Sequence, residues 1–296
     1  MRLNLNQLLT RAANLTWRHR SLYLYGFLLV LLGGECLRTA GETNLGGDQL
    51  NDAFTQLRRT NPDTLKTIAL AIAATLTVFW IISAAIGTWA LGSLLAGLDQ
   101  ALTEGSTSIR SAGAAGRRRF WPLFVVGLLT GLVATLMLVP TAFSVAFAYF
   151  GNQPLFYGLA CLWFPFAVLV WLLVSLIATV AQLNVVLAGA GPIEAIAYSW
   201  RFLTRHAGDL LLVWAANDVG VGCVTGCATA FLILVSSIPA WIGFMINPAL
   251  GLVLLVPSLV LSLAVLFARG IVAVFQKAVW LLAYQELQGE SHDAIS

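Results

Sequence analysis

Residues 156–188 read FYGLACLWFPFAVLVWLLVSLIATVAQLNVVLA, a run without one Asp, Glu, Lys, Arg or His. About 18 consecutive apolar residues already mark a membrane-crossing helix. In lipid only helices and closed barrels satisfy their own backbone hydrogen bonds, and a barrel strand would alternate apolar with polar over about ten residues. This run does not alternate. Working outward, five further apolar segments appear, at 21–37, 67–97, 120–149, 210–236 and 249–280. The fold class is therefore all-α: a polytopic helical bundle with six transmembrane helices in a single membrane domain, 1–296. The whole chain agrees, since 59% hydrophobic, 10% charged and a mean hydropathy of +0.86 leave too little charge to coat a water-exposed surface.

The first span is near the lower limit, roughly 25 Å at 1.5 Å per residue, whereas several others exceed the ~30 Å hydrocarbon core and must tilt, kink or protrude. Pro140, Pro165 and Pro257 are the candidate kinks. Of the 16 cations, all but Lys66 and Lys277 are Arg, and they gather at segment ends. Residues 1–20 hold Arg2, Arg11, Arg18 and Arg20; the 98–119 connection holds Arg110, Arg117, Arg118 and Arg119; the 189–209 connection holds Arg201 and Arg205. The 150–155 and 237–248 turns hold none, and the cations of the 38–66 outer loop are balanced by Glu42, Asp48, Asp52 and Asp63. The positive-inside rule then puts both termini in the cytoplasm of a bacterial cytoplasmic (inner) membrane protein. No small-residue cleavage site follows the first run, so it reads as a retained signal anchor. Within the outer loop, Leu50, Ala53, Phe54 and Leu57 share one helical face ahead of Asn61-Pro62, predicting a short amphipathic helix.

The three cytoplasmic stretches each precede a pair of spans. Leu5, Leu8, Leu9, Ala12 and Thr16 form one face of a helix, as do Ile193, Ile196, Ala197, Trp200 and Leu203, the latter begun by Pro192 and closed by Gly208. The wording repeats as well: Asn14-Leu15-Thr16-Trp17-Arg18 matches Ala197-Tyr198-Ser199-Trp200-Arg201, a hydroxyl followed by Trp and Arg. The middle stretch carries a weaker stripe of Leu102, Gly105, Ile109 and Ala112. These patterns predict three units of interfacial helix plus helical hairpin. The candidate lipid-headgroup contacts are Trp17, Arg18, Arg20, Arg117, Arg118, Arg119, Trp200, Arg201 and Arg205. Plain anchoring puts Trp at the headgroup level and an apolar helix face in the acyl boundary; recognition of anionic lipid adds about 1 kcal/mol per basic residue.

An ionisable group inside a span costs about 2.5–3.5 kcal/mol on insertion scales and asks for a partner. Asp218 lies roughly 13 Å from the cytoplasmic start of the fifth span and Arg269 roughly 12 Å from the same side in the sixth, so the two are expected to meet. Gln182, Asn184 and Asn217 share that depth, giving a candidate polar patch that serves either as an interhelical pairing or as a headgroup or solute site. Gly222 and Gly226 form a GxxxG that permits close approach within the chain, to a membrane-protein partner or in a homodimer. Cys36, Cys161, Cys223 and Cys227 make no C-x-x-C pair and read as small buried hydrophobes. Glu35 sits close enough to the outer surface to need no partner.

No H-E-x-x-H, Walker A, dinucleotide fingerprint or serine-histidine-acid set is present, and His19, His206 and His292 all lie outside the spans. No cofactor, metal or nucleic-acid partner is implied, and the expectation is a non-enzymatic protein. The run Leu15-Thr16-Trp17-Arg18-His19-Arg20, the entry into Ala195-Ile196-Ala197-Tyr198-Ser199-Trp200-Arg201-Phe202-Leu203 and the closing Ala283-Tyr284-Gln285-Glu286-Leu287 resemble a family of bacterial six-span proteins. That family is similar to the membrane domain of glycerophosphodiester phosphodiesterases and its stand-alone relatives. The resemblance implies the fold; the phosphodiesterase domain is missing, so hydrolysis is not implied. The functional expectations are a lipid-contacting or scaffolding role, a small transporter or channel using the polar patch, or an accessory subunit of a larger membrane complex.

Overall fold

The structure, a computed structural model, describes residues 4–32, 62–151 and 154–293. Among them every regular element is helical: α1 (Leu5–Arg18), a 3-10 turn (Arg20–Leu22), α2 (Tyr23–Leu32), α3 (Pro62–Thr103), α4 (Ile109–Arg118), α5 (Phe120–Gly151), α6 (Pro154–Leu187), α7 (Pro192–Arg205), α8 (Ala207–Trp214), a π-helical segment (Ala215–Val221), α9 (Gly222–Ile246) and α10 (Pro248–Asp293). Five stretches are long and apolar enough to cross a membrane, Thr77–Thr103, Phe120–Thr141, Cys161–Leu187, Ala207–Ile246 and Ala249–Gly289, and a shorter apolar one runs Arg20–Leu32. The expected outer-loop helix around residues 50–57, Glu35, Cys36 and the last part of the 21–37 span lie outside the described residues.

Several boundaries differ from expectation for local reasons. The second span, expected from residue 67, begins earlier: Pro62 opens α3, where its missing N–H costs no hydrogen bond. The expected 237–248 turn shrinks to Asn247, because α9 continues through Pro239 to Ile246. Asn247 Oδ1 accepts the Ala249 N–H at 2.9 Å, capping α10. Gly208 does not close α7; it lies within α8, and His206 ends α7. In the middle stretch α3 runs on to Thr103 and is followed by Gly105, whose φ of 69° favours a residue without Cβ. Leu102 and Ile109 therefore belong to different helices, and α4 is capped by Ser108, whose Oγ accepts the Ser111 N–H at 3.1 Å.

The chain divides into two compact units. Unit 1 comprises Met1–Leu22, Gly92–Thr225 and Val274–Ser296. Here α5 and α6 pack along one another, Trp163 Nε1 donates across that hairpin to the Met137 carbonyl at 3.1 Å, and α7 packs on both. Leu94, Leu98, Leu123, Leu183, Leu210, Trp280 and Tyr284 are buried in it. Unit 2 comprises Tyr23–Leu91 and Gly226–Ala273. Gly270 packs directly on the backbone of Gly26 and Phe27, Gly243 on Gly251, and Ser236 bonds Ser262 at 2.9 Å. Large apolar side chains such as Leu70, Phe143, Leu162, Val224, Met245 and Leu252 stay exposed along the long helices. Apolar surface on that scale matches lipid rather than water.

Candidate functional site

Three short helices of unit 1, α1, α4 and α7, present their residues in one register. Ala12, Ala112 and Ala195 are each fully buried, and the residues four positions on, Thr16, Gly116 and Ser199, are buried too. Both hydroxyls bond their own helix, Thr16 Oγ1 to the Ala12 carbonyl at 2.8 Å and Ser199 Oγ to the Ala195 carbonyl at 2.6 Å, so burial leaves them satisfied. At Gly116 that space is held by Ser93, against whose backbone and side chain any Cβ would press. The next two residues face outward in all three helices: Trp17-Arg18, Arg117-Arg118 and Trp200-Arg201. The repeat extends further than the hydroxyl-Trp-Arg wording, and glycine in the middle copy is what hides it.

The faces are shared between protein and exterior. In α1 the apolar stripe Leu8, Ala12 and Thr16 turns into the protein instead of an acyl boundary, leaving Trp17 68% exposed. In α7 the buried stripe is Ala195, Ser199, Phe202 and Leu203, while Ile193 stays outside and Trp200 is 50% exposed. Trp121, just past α4, is 70% exposed. Arg18, Arg20, Arg117, Arg118, Arg201 and Arg205 are exposed; Arg119 is half-buried, its guanidinium seated on Gly189 at the end of α6, where φ is 70°. A cation there complements the carbonyl end of that helix. Burial and the neighbouring Arg18 charge hold the His19 imidazole below its ordinary value.

Two residues of the candidate polar patch come together. Asn217, fully buried in the π-helical segment, donates Nδ2 to the Gln276 carbonyl at 3.3 Å, and Gln276 Nε2 returns a bond to the Asn217 carbonyl at 3.1 Å. Asp218 Oδ2 accepts the Trp280 indole N–H at 3.0 Å. Gln276 and Trp280 are spaced i, i+4 on α10, a face legible beside Lys277 but not singled out from sequence. Asn217 Oδ1 has no partner among the described residues. Asn184 is buried and Gln182 half-buried on α6, and neither bonds this knot among the described residues. Arg269 belongs to unit 2 and Asp218 to unit 1, and each makes further interactions.

Gly222 meets the Gln276 amide at van der Waals distance, and Gly226 has nothing within 4 Å of a Cβ position, so the GxxxG makes no tight backbone approach among the described residues. The close approaches occur at Gly116, Gly243 and Gly270. Cys161, Cys223 and Cys227 are exposed, correcting their expected burial; they sit among the outward apolar side chains.

A cleft of about 690 Å³ opens between α7 and the end of α10, lined by Tyr198, Arg201, Phe202, Arg205 and His206 on one side and Gln285, Gln288 and Gly289 on the other. The Phe202 ring stacks on Tyr198 and meets His206 and Tyr284 at tilted angles, with centroids 5.0–5.8 Å apart. Gln288 Nε2 donates to the hydroxyls of Tyr198 at 3.2 Å and Tyr284 at 2.8 Å. Sequence reasoning selected Arg201 and Arg205 but not Tyr198, Gln285 or Gln288 as their neighbours, since nothing local links positions so far apart in the chain.

One family model, a domain of unknown function, matches residues 45–287. No curated protein and no solved structure matches. Nothing in that match connects the chain to the membrane domain of glycerophosphodiester phosphodiesterases.

Proposed function

We propose, for a chain that belongs to the DUF7847 family and takes no activity from that membership, a non-enzymatic integral membrane protein that contacts lipid through cytoplasmic interfacial helices. The observation that carries it is the outward Trp and Arg of three helices in one register, Trp17-Arg18, Arg117-Arg118 with Trp121, and Trp200-Arg201. Trp prefers the headgroup level and Arg reaches phosphate while its stem stays on apolar surface. This reading places the protein in a bacterial cytoplasmic membrane with both termini cytoplasmic, where anionic lipid attracts each exposed Arg by about 1 kcal/mol. The test is photo-crosslinking with benzoylphenylalanine at 17, 121 and 200 in native membranes. Covalent phospholipid adducts at all three positions are expected; adducts to another polypeptide alone would replace the reading with that of an accessory subunit.

The π-helical segment favours a second reading, a solute path. Such segments leave backbone groups outside the regular ladder, and Asn217 Oδ1 is buried there without a partner among the described residues. A path requires water at this depth. Labelling of Asn184→Cys and Asp218→Cys by a membrane-impermeant thiol reagent, in an otherwise cysteine-free protein, would support it; protection of both sites would remove it.

A further inference from the structure

We propose that the cleft between α7 and the end of α10 is a binding site for a phosphate group, presented by an anionic lipid headgroup. The proposal rests on the interfacial reading of α7 and adds a defined pocket to it. The cleft has the volume of a small-molecule site, about 690 Å³. Its charged lining among the described residues is of one sign: Arg201 and Arg205, one helical turn apart, with His206 following and no Asp or Glu among the described wall residues. Neither Arg has an acid partner among the described residues, and the nearby Glu286 is held by Arg11 at 3.3 Å.

A guanidinium presents two parallel N–H donors to phosphate oxygens, and a pair of them without a carboxylate is built for a dianion or diester rather than for self-neutralisation. The donors stand on a fixed base. Phe202 is buried, stacked on Tyr198 and in tilted contact with His206, and Gln288 ties the Tyr198 hydroxyl to Tyr284. Trp200 and Ile193, exposed on the same helix, put the cleft beside the surface that this reading assigns to the headgroup level. A lipid phosphate is therefore the source the arrangement favours, and a soluble phosphate ester shares its chemistry.

Two variants probe the pocket by different routes. Arg201→Gln with Arg205→Gln removes the donors. Gly289→Asp places a carboxylate in the wall where a Cβ meets nothing within 4 Å, so it repels phosphate without crowding the fold. Arg110→Gln serves as the control, removing an exposed charge on α4 that lies away from the cleft and outside the Trp and Arg positions assigned to lipid. Full-length protein, delipidated in neutral detergent and shown monodisperse, is titrated calorimetrically with dihexanoyl phosphatidylglycerol, dihexanoyl phosphatidylcholine and glycerol 3-phosphate.

Saturable binding of the phosphatidylglycerol is expected in wild type and in the α4 control, weakened about tenfold or more by either cleft variant, with phosphatidylcholine binding more weakly throughout. Glycerol 3-phosphate binding that the cleft variants also weaken, and that exceeds that of phosphatidylglycerol, would keep the phosphate site and overturn its lipid source. Loss in the α4 control with unchanged cleft variants would overturn the cleft and leave the interfacial reading standing. Equal binding of all lipids by all proteins would overturn both.

Discussion

Replacing Trp280 by Phe tests whether the knot at the π-helical segment holds the helices together. Trp280 is buried, and its indole N–H reaches Asp218 Oδ2 at 3.0 Å. A hydrogen bond to a charged acceptor contributes about 1.5–3 kcal/mol, against about 0.6 kcal/mol for the average side-chain bond measured in a bilayer. Phe also leaves a void larger than a methyl group, adding about 1 kcal/mol. The single variant should therefore lose about 2.5–4 kcal/mol. The void obscures the bond, so the decisive quantity is the coupling in a double-mutant cycle with Asp218→Ala, in which the void cancels and so do the other interactions of Asp218. Equilibrium unfolding by sodium dodecyl sulfate in mixed micelles, followed by helical circular dichroism, should give a coupling of about 1.5 kcal/mol. A coupling below about 0.5 kcal/mol would refute the reasoning, since additive behaviour means that the carboxylate does not depend on the indole.

Other consequences use the same unfolding assay. Gly270→Val should destabilise by about 1–3 kcal/mol, because its Cβ would lie 2.7 Å from the Phe27 backbone, which cannot rotate aside. Gly226→Ala should instead be neutral or stabilise by up to about 1 kcal/mol, since its Cβ meets nothing; a loss of dimer on gel filtration would show that the GxxxG serves a second copy. Ser108→Ala removes the acceptor for the Ser111 N–H and should cost about 1 kcal/mol, seen first as faster amide exchange in α4. The His19 value is lowered in the folded protein, so the unfolded chain binds the proton more readily. Stability should fall as pH drops through the ordinary histidine range and level off below the folded value, and His19→Asn should flatten a melting profile taken from about pH 7.5 to 5.

The long apolar runs made five of the spans legible, and Pro192 marked the start of α7, because hydropathy and a missing N–H act locally. What escaped notice depends on surroundings. Ser237 and Pro239 fall in the expected 237–248 turn, but in α9 Ser236 Oγ bonds the Ile233 carbonyl at 2.8 Å and Ser237 Oγ the Leu234 carbonyl at 2.7 Å, so the hydroxyls need no solvent and the helix continues. Asp218 was identifiable as a costly ionisable group and drew notice to Asn217 beside it, whereas Gln276 and Trp280 stand on another helix and only the packing of α10 brings them to that pair. The GxxxG pattern misdirected for the opposite reason: spacing permits approach, and only the neighbouring helix decides whether approach occurs, as it does at Gly270 and Gly243 instead.

The same dependence explains how α7 does two things at once. A helix of 14 residues has room for one stripe of small buried residues, and Ala195 and Ser199 use it to seat the helix on the protein. Thr16 in α1 and Ser199 in α7 turn their hydroxyls back on their own carbonyls, so the buried stripe makes no demand on its neighbours and tolerates close packing. The opposite side is then free to be apolar and aromatic, with Ile193 and Trp200 outward. Between the two sides lies the flank of Tyr198, Arg201 and Arg205, and in α7 that flank meets the polar end of α10 across the cleft. The corresponding Arg18 of α1 and Arg118 of α4 are exposed and do not line this cleft. The three helices thus share one register, and the cleft at α7 comes from Gln285 and Gln288 opposite it, not from the repeat itself.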